Sequence, residues 1–337
     1  MATFIKAAVP SGAYTLPRQY YVAEDVFQAE RERIFLRQWV CVGRAEQLQS
    51  PGDYFLTEIG GESLIVVRGR EGELRAFFNV CRHRGTRMCT EASGHFAGSI
   101  QCPYHAWTYA LDGQLIAARY MRDTAGFDQA DYPLHQVALA EWEGFILLNL
   151  APEPEPFERA FAPLIAKFTR WDMPHLRLAQ RIEYDVQANW KMIFQNYSEC
   201  YHCSLIHPAL VQLSPPRSGR NDLTAGPFLG GYMDLRAAAE SLTVGGHTGR
   251  PPLGEVRGAD LRRVYYYSIF PNMLLSLHPD YAMAHTLWPL APGRTRIVCE
   301  WYFDPATLAQ PIFDPSDAVE FWDMTNRQDW HVCELSQ

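Results

Sequence analysis

Several features that decide the class of many proteins are absent from this sequence. No apolar run approaches the roughly 20 residues of a membrane-spanning helix, and the run GFILLNL at 144–150 has the length of a buried strand. No G-x-G-x-x-G pattern is present, so the chain does not bind a dinucleotide in the manner that this fingerprint indicates. With 30 Lys and Arg against 38 Asp and Glu, the net charge of −8 argues against a nucleic-acid partner. A small-molecule substrate fits these absences.

A secretory signal is also absent, and no internal repeat is visible. We therefore expect a cytoplasmic protein that does not bind a membrane. In that compartment the eight cysteines are expected to be metal ligands or free thiols rather than disulfides. The 337 residues suffice for two domains, and a hydrophobic share of 47% with 20% charged residues is typical of a globular protein.

The texture of the chain changes along its length in a way that predicts these domains. Apolar residues at helical spacing mark 24–39, whereas 41–150 consists of short β-type runs between turn signals. The stretch APEPEP at 151–156 is typical of a stiff linker. We predict an N-terminal helical segment over 1–40 that packs on the second domain, an all-β domain over 41–152, and a domain of antiparallel sheet and helices over 153–337. The fold class is α+β.

Finer expectations concern the second domain. Residues 189–207 predict a helix that runs to about Cys203 and ends before His207, because the residue preceding Pro208 is pushed out of the helical region. Strand-like runs follow at 263–278, 281–290 and 295–303, and the last helix is predicted over 317–336.

Two cysteines and two histidines have a spacing that predicts an iron–sulfur cluster. Cys81 and His83 form one unit, and Cys102 and His105 form the other. Two thiolates and two imidazoles are the ligands of a Rieske [2Fe–2S] cluster, in which two His replace two Cys on one iron. Zinc is the alternative, but zinc knuckles usually pair Cys with Cys and His with His. One Cys and one His in each half suits two irons in unlike ligand fields.

A second group predicts a mononuclear iron. Glu199 and His202 are three residues apart and so are neighbours on a helix, and His207 follows where the helix should end. Two imidazoles and one carboxylate form the facial triad of non-haem iron enzymes, which leaves coordination positions open, and His202 and His207 supply two of these three ligands. By itself Glu-x2-His is a weak signal, since the pattern occurs on ordinary helices. A cluster that stores an electron, with an iron that uses it on dioxygen, indicates an oxygenase.

The carboxylate of this triad must be chosen between two aspartates of the last helix. Asp323 and Asp329 are six residues apart and point to different faces. Asp323 has Arg327 one turn later, which favours an exposed ion pair. Asp329 shares its face with Trp322 and Cys333, and a carboxylate on an apolar stripe needs a cation. We predict Asp329 as the ligand, with Asp323 as the alternative.

These motifs resemble the catalytic α subunits of Rieske non-haem iron oxygenases. The resemblance spans nearly the whole chain and rests on Asn79-Val80 before the first cluster unit, on CPYHAWTYALDG at 102–113, and on Asn189-Trp190-Lys191 before Glu-Cys-Tyr-His. It implies that Cys81, His83, Cys102 and His105 bind the cluster, that His202, His207 and Asp329 bind the iron, and that the catalytic domain is a helix-grip fold.

The resemblance also implies a role for Glu199 and a set of partners. Glu199 matches the family's acidic bridge, which links an iron-ligating His of one subunit to a cluster His of the next in a head-to-tail homotrimer. Electrons are expected from a separate NAD(P)H-dependent reductase with flavin and iron–sulfur centres. Two positions depart from the family: Gln195 stands where relatives often carry Glu, and the chain stops at Gln337, where relatives usually continue, so a C-terminal truncation is expected.

The substrate is read from aromatic residues in the strand region. Alternate residues of a strand share a face, so Tyr265 and Tyr267 are predicted to point together while Tyr266 points away. The candidate contacts for a quaternary ammonium are Tyr265, Tyr267, Trp288 and Trp301, because aromatic faces attract cations. The motif also looks most like the branch that demethylates betaines. Hydroxylation of an aromatic or other ring is the first alternative, and aromatic residues that only fill the core are the plainer explanation.

Other readings are weaker. A Rieske electron carrier without catalysis would need only the all-β domain, and a degenerate binding module of the same fold is disfavoured because every metal position is present. Cys200 and Cys203 could form a functional thiol pair, but helix packing is the expected role, since free cysteine behaves as a small buried hydrophobe. His278 and His285 are minor candidates for substrate contact.

Overall fold

The computed structural model describes residues 15–121 and 123–337, and the chain divides into two compact units. One unit is Glu30–Ala162, and the other is Pro163–Gln337 together with the described residues up to Ala29. The first unit extends beyond the predicted limits of 41 and 152 because flanking residues pack within it. The indole of Trp39 meets the ring of Phe157 edge-on at 5.3 Å. Residues 1–14 of the predicted N-terminal segment lie outside the described residues.

The unit Glu30–Ala162 is built from antiparallel strands. One seven-stranded sheet has the order β1-β10-β9-β4-β3-β2-β5, and a three-stranded sheet has the order β6-β7-β8. The run predicted at 144–150 is a fully buried strand. Helix α1 (Gln19–Val22) precedes this unit, and α2 (Glu24–Glu30) ends at its first residue. Its own elements are a π-helical turn (Arg31–Phe35), β1 (Val40–Arg44), β2 (Asp53–Ile59), β3 (Glu62–Arg68), β4 (Leu74–Phe78), β5 (Ser93–His95), β6 (Ser99–Gln101), β7 (Thr108–Ala110), β8 (Leu115–Ala117), β9 (Gln136–Trp142), β10 (Phe145–Asn149) and α3 (Phe157–Ala160).

The other unit is a seven-stranded antiparallel sheet in the order β11-β17-β16-β15-β14-β13-β12. Helix α8 lies on one face of it, and its Phe321, Trp322 and Trp330 join the buried side chains of the strands in one core. The elements are β11 (Arg177–Val186), α4 (Trp190–Tyr197), α5 (Cys203–Ile206), α6 (Pro208–Leu213), β12 (Arg220–Leu223), β13 (Phe228–Asp234), β14 (Arg263–Ile269), β15 (Met273–Leu277), β16 (Ala282–Ala291), β17 (Arg294–Phe303), α7 (Pro305–Leu308) and α8 (Ser316–Ser336).

The α+β class and the antiparallel sheet are as predicted, but the run 263–278 was wrongly taken as one strand. It forms β14 and β15, separated by a turn at Phe270-Pro271-Asn272. Proline has no N–H to donate to a ladder, which is why strand pairing stops there. Within the described part of the chain, no helix combines the length and the apolar character that crossing a membrane requires.

Candidate metal centres and substrate cavity

The two predicted cluster loops have the same backbone hydrogen bonds. In one, the N–H of Gly85 donates to the carbonyl of Cys81 at 3.0 Å, and in the other the N–H of Ala106 donates to the carbonyl of Cys102 at 3.1 Å. Gly85 and Ala106 both have positive φ, 70° and 55°. Such a turn costs little for glycine, and it reverses the chain directly behind each Cys-and-His unit. The repeated geometry places two equivalent halves of a ligand set.

The side chains of the two halves meet. The rings of His83 and His105 are 4.6 Å apart at 75°, and His83 stacks on Trp107 at 4.8 Å. Cys81 and Cys102 are buried beneath them, at 2% and 3% exposure. The four predicted cluster residues are therefore together, with sulfurs inward and imidazoles outward.

The sulfurs are in surroundings that suit iron. Burial raises the pKa of Cys102, and the neighbouring sulfur of Cys81 raises it further, because two thiolates repel. Cationic iron removes that repulsion. The hydroxyl of Tyr109 lies 3.3 Å from Sγ of Cys81, and a hydrogen bond to a cluster sulfur is one way a protein raises a cluster's potential. Tyr109 lies in the stretch 102–113 that carries the resemblance, but its contact with Cys81 was not predicted from the sequence.

The predicted iron segment is helical for a shorter stretch than expected. Helix α4 ends at Tyr197 instead of near Cys203, so Glu199 and His202 lie in a bend and not on a helix. The carboxylate of Glu199 accepts a hydrogen bond from the backbone N–H of Tyr201. A side chain that accepts a hydrogen bond from the backbone two residues later competes in this way with helix formation. The expected break before Pro208 is present, because α5 ends at Ile206.

This bend brings two imidazoles onto one carboxylate of α8. Nε2 of His207 lies 2.9 Å from Oδ1 of Asp329, and Nε2 of His202 lies 3.2 Å from the same atom. The side chains of His207, His202 and Asp329 are 2%, 18% and 16% exposed. Ligands at about 2.1 Å from a metal and at right angles are about 3 Å apart, so these separations fit a metal between the three atoms.

The outer nitrogens of both imidazoles are held by acceptors. Nδ1 of His202 donates to Oε1 of Glu199 at 2.5 Å, and Nδ1 of His207 donates to Oε1 of Gln328 at 2.8 Å. A protonated Nδ1 leaves the lone pair on Nε2, which faces Asp329. Gln328 was missed in the sequence, although its position next to a candidate ligand on α8 was a signal for it.

The electrostatics of the three groups call for a cation. Burial lowers the pKa of His202, but hydrogen bonds and charge from Asp329 and Glu199 outweigh burial and raise it to about 9. Burial raises the pKa of Asp329, whereas His202 and His207 lower it more, so the carboxylate stays ionised. A metal satisfies the same carboxylates without a proton. Two nitrogens and one oxygen on one side form the donor set of non-haem iron(II).

Asp323, the alternative ligand, points elsewhere. Its carboxylate accepts from Nε of Arg327 at 2.9 Å and from the hydroxyl of Tyr184 at 2.8 Å. The ion pair expected one turn along the helix is present, and both oxygens already have partners. The face of α8 that carries Asp329 is the one that looks into the site.

A cavity of about 500 Å³ opens above the three converging groups. That volume is within the range of small-molecule sites, about 300–1,000 Å³. Three of its aromatic residues form a group: the ring of Tyr266 lies 6.1 Å from that of Tyr197 and 6.2 Å from that of Trp322, both edge-on. The lining includes Glu199, Cys200, His202, Cys203, His207, Asn221, Leu229, Met233, Ser268, Thr325 and Asp329.

The prediction for the tyrosine strand was wrong in its choice of face. The residues alternate as expected, but Tyr266 faces the cavity, whereas Tyr265 and Tyr267 lie on the opposite side of the sheet. Tyr265 packs edge-on against Trp171 at 5.0 Å, and Tyr267 donates from its hydroxyl to Asp222 at 3.1 Å. Helix α8 covers the face of Tyr266, so the cavity forms on that side.

The remaining predicted contacts also lie away from the cavity lining. Trp301 is fully buried in the core under α8, and Trp288 donates from Nε1 to the hydroxyl of Thr286 at 3.1 Å. His285 is buried with Nε2 3.2 Å from Oδ1 of Asn326, and His278 stacks on Tyr281 at 3.9 Å. Both histidines therefore belong to the packing beneath the site.

The expectation that the cysteines form no disulfide was wrong for one pair. Cys200 and Cys203 are joined, and their Cα atoms are 5.0 Å apart. The bend after α4 brings the two side chains together. The helix predicted for this segment gave no indication of such a bond. The other six cysteines are free.

Comparison with known proteins agrees with both metal centres. Residues 38–133 match the family described as Rieske [2Fe-2S] domain, and residues 173–337 match the one described as Ring hydroxylating alpha subunit (catalytic domain). The glycine betaine monooxygenase oxygenase subunit of Chromohalobacter salexigens is 31% identical over 97% of this chain and 79% of its own length. The carnitine monooxygenase oxygenase subunit of Escherichia coli K12 is 40% identical over 60% of this chain and 54% of its own length.

A solved structure shows the same architecture. It is a quaternary ammonium Rieske monooxygenase, described in connection with carnitine oxidation and inter-subunit electron transfer. Its TM-score with this chain is 0.81 at 26% identity, and the match covers 96% of this chain and 85% of that one. The resemblance inferred from the sequence motifs is thereby confirmed.

Proposed function

The chain belongs to the Rieske oxygenases as a catalytic, oxygenase subunit, and on this premise we propose that it oxidises an N-methyl carbon of a betaine-like quaternary amine. It is an oxidoreductase with a Rieske [2Fe–2S] cluster and a mononuclear iron, and dioxygen is its co-substrate. When bound, the mononuclear iron supplies oxygen activation and the cluster supplies electrons. A carrier without catalysis is excluded by the catalytic domain.

The residues that hold these groups are part of the proposal. We assign Cys81, His83, Cys102 and His105 to the cluster, because two buried sulfurs and two outward imidazoles converge in paired loops. We assign His202, His207 and Asp329 to the iron, because Nε2 of each histidine lies about 3 Å from Oδ1 of Asp329, a separation typical of atoms that bind one metal. Glu199 and Gln328 orient the two imidazoles from outside.

The observation that carries the substrate proposal is the group of three rings over the iron site. Tyr197, Tyr266 and Trp322 line one cavity, and each ring whose face meets a quaternary ammonium contributes about 0.5–2 kcal/mol. A trimethylammonium group makes no hydrogen bonds, so ring faces and apolar walls are the surroundings it prefers. The named substrates of the similar proteins, glycine betaine and carnitine, carry such a group.

Glu199 also bears on how copies of the chain assemble. Its side chain is 45% exposed while Oε1 holds His202, so the carboxylate is available from outside. Tyr201 and Leu205 beside it are 95% and 88% exposed, a large apolar exposure for a free surface. We propose that a second copy covers this surface in a head-to-tail homotrimer, and that Glu199 accepts a hydrogen bond from His105 of the partner subunit.

The electron source is proposed as a separate NAD(P)H-dependent reductase with flavin and iron–sulfur centres, since the similar proteins are named as oxygenase subunits. The cytoplasm stays the predicted location.

Formation of formaldehyde tests the substrate proposal. Oxidation of a methyl carbon on a quaternary nitrogen gives a carbinolamine, which releases formaldehyde and leaves a tertiary amine; the second oxygen atom of dioxygen leaves as water. Betaines and simple aromatic acids are offered to the protein with a surrogate reductase while oxygen uptake, formaldehyde and hydroxylated products are measured. We expect formaldehyde from a betaine. A hydroxylated ring product with no formaldehyde from any betaine contradicts the demethylase proposal in favour of ring hydroxylation.

A further inference from the structure

The disulfide between Cys200 and Cys203 spans the iron-site histidine His202. Both cysteines line the cavity, and Cys203 is only 4% exposed. Sγ of Cys203 lies 3.9 Å from Nε2 of His202, the same nitrogen that faces Asp329. One donor atom each of His202, Cys203 and His207 lie within 4.8 Å of one another. The sulfur of Cys203 is therefore buried beside the two imidazoles that are proposed to bind the iron.

These distances fit a fourth ligand. In a tetrahedral site with a sulfur at about 2.3 Å and a nitrogen at about 2.1 Å from the metal, the two ligand atoms are about 3.6 Å apart. The observed 3.9 Å to His202 needs a shift of a few tenths of an ångström, and a separation at the 4.8 Å bound would need a shift of about 1.2 Å. A disulfide sulfur, however, carries no thiolate, and the thiolate is the form that binds metals. In the disulfide with Cys200, the sulfur of Cys203 is therefore not in the form that binds a metal.

We propose that Cys203 is a conditional metal ligand, and that its disulfide with Cys200 limits the preference of the site for zinc over iron. With the bond intact, His202, His207 and Asp329 form a site of two nitrogens and one oxygen with open positions. With the bond reduced, Cys203 completes a closed set that suits tetrahedral zinc, since soft sulfur favours zinc over iron(II). The inference rests on the ligands proposed above, and it predicts that a reduced protein acquires zinc and loses its open positions.

The redox step is thiol–disulfide exchange. A dithiol, either a small molecule or a dithiol oxidoreductase, attacks the sulfur of Cys200, the less buried of the two residues. The bond between Cys200 and Cys203 breaks, and the dithiol becomes a disulfide. Its two protons and two electrons pass to the two protein sulfurs, which become thiols. The leaving sulfur is that of Cys203, which is freed toward the metal site.

A matched pair of variants separates coordination from loss of the cross-link. Cys200→Ser and Cys203→Ser both remove the disulfide, but only Cys200→Ser leaves a sulfur at the metal. Each holoenzyme is loaded with equal iron(II) and zinc, and the metal beyond the cluster iron is quantified. We expect the ratio of zinc to iron to rise at least about tenfold in Cys200→Ser and in dithiol-treated wild type, and to stay at the wild-type value in Cys203→Ser.

Cobalt(II) gives a second readout that does not depend on activity. Difference spectra should show a sulfur-to-cobalt charge-transfer band in the near ultraviolet for Cys200→Ser and for reduced wild type, and none for Cys203→Ser or oxidised wild type. Alkylation before and after dithiol treatment, read by mass spectrometry, reports the state of the two cysteines. This control keeps wild type informative even where a variant folds poorly.

The outcomes distinguish this inference from the function on which it rests. Equal metal preference in the two variants, or reduced wild type that keeps its iron and shows no sulfur band, overturns the role of Cys203 alone. Oxidised wild type that binds no metal beyond the cluster iron overturns the proposed ligand set, and the inference fails with it.

Discussion

Oε1 of Gln328 accepts a hydrogen bond from Nδ1 of His207 at 2.8 Å, while the next residue of α8, Asp329, meets the opposite side of the same ring at 2.9 Å. One helix turn thus supplies both a proposed ligand and the group that orients another. We predict that Gln328→Leu lowers the affinity for mononuclear iron about 10–100-fold. Gln328→Glu, which keeps an acceptor, should retain most of it, as measured by iron titration. Equal affinity in Gln328→Leu and wild type would contradict this positioning role.

Replacing Asp329 and replacing Asp323 on α8 should have different effects. Asp329→Ala removes the carboxylate on which His202 and His207 converge, so we expect mononuclear iron to be lost. Asp323→Ala removes a bond to Tyr184 and a partly exposed ion pair, which should lower the free energy of unfolding by about 0.5–1.5 kcal/mol and leave iron content unchanged. Iron analysis and denaturant unfolding of both variants check this. The reverse ranking would move the ligand to Asp323.

The cluster residues can be tested by electron paramagnetic resonance of the reduced protein. Cys81→Ala or His105→Ala should abolish a Rieske-type signal, because each removes a proposed ligand. His202→Ala should keep the signal while iron falls from about three to about two atoms per chain. Survival of the signal in the first two variants would refute the cluster assignment, and loss of it in His202→Ala would show that the two sites are not separate.

Neighbouring tyrosines on opposite faces of β14 form a matched pair for the substrate. Tyr266→Leu removes a ring that faces the cavity, and we expect the dissociation constant of a betaine substrate to rise about 2–30-fold. Tyr265→Leu removes a ring that packs on Trp171 and should leave that constant unchanged. Calorimetric titration of iron-replete protein measures both. A neutral isostere of the substrate should bind equally to wild type and Tyr266→Leu, and a larger effect of Tyr265→Leu would contradict the assigned face.

A buried histidine beneath the site should make the fold sensitive to acid. Burial lowers the pKa of His285 from 6.5 to about 4, so below about pH 6.5 the unfolded chain binds a proton that the folded one does not. Above that pH the histidine does not lower the free energy of unfolding. As the pH falls toward 4 the free energy of unfolding decreases, by about 2 kcal/mol at about pH 5.

His285→Gln should remove this part of the acid sensitivity, because glutamine does not titrate. His175→Gln is the control, since His175 is an exposed partner of Asp172. The free energy of unfolding by denaturant, measured for each protein at neutral and at mildly acidic pH, gives the comparison. The prediction fails if the loss between the two pH values is the same in His285→Gln as in wild type.

The metal motifs and several helix boundaries could be predicted because they depend on residues that are close together in the sequence. The cluster units, the break at Pro208 and the last helix, predicted over 317–336 and observed over Ser316–Ser336, depend on residues a few positions apart. Such spacing decides turns, helix ends and which side chains a single helix face presents. The choice of Asp329 over Asp323 came from the same argument, since the neighbours of each residue on its own helix differ.

The sequence by itself determined the metal motifs and the alternation of the tyrosines, but only the tertiary structure decided which face of β14 became the cavity. Period-two alternation is symmetric, and the face is chosen by the helix that covers it, α8, from the far end of the unit. The same holds for Gln328 beside His207, since these two residues lie 121 positions apart in the sequence. Local patterns carry no information about contacts between distant segments, because those are settled by packing.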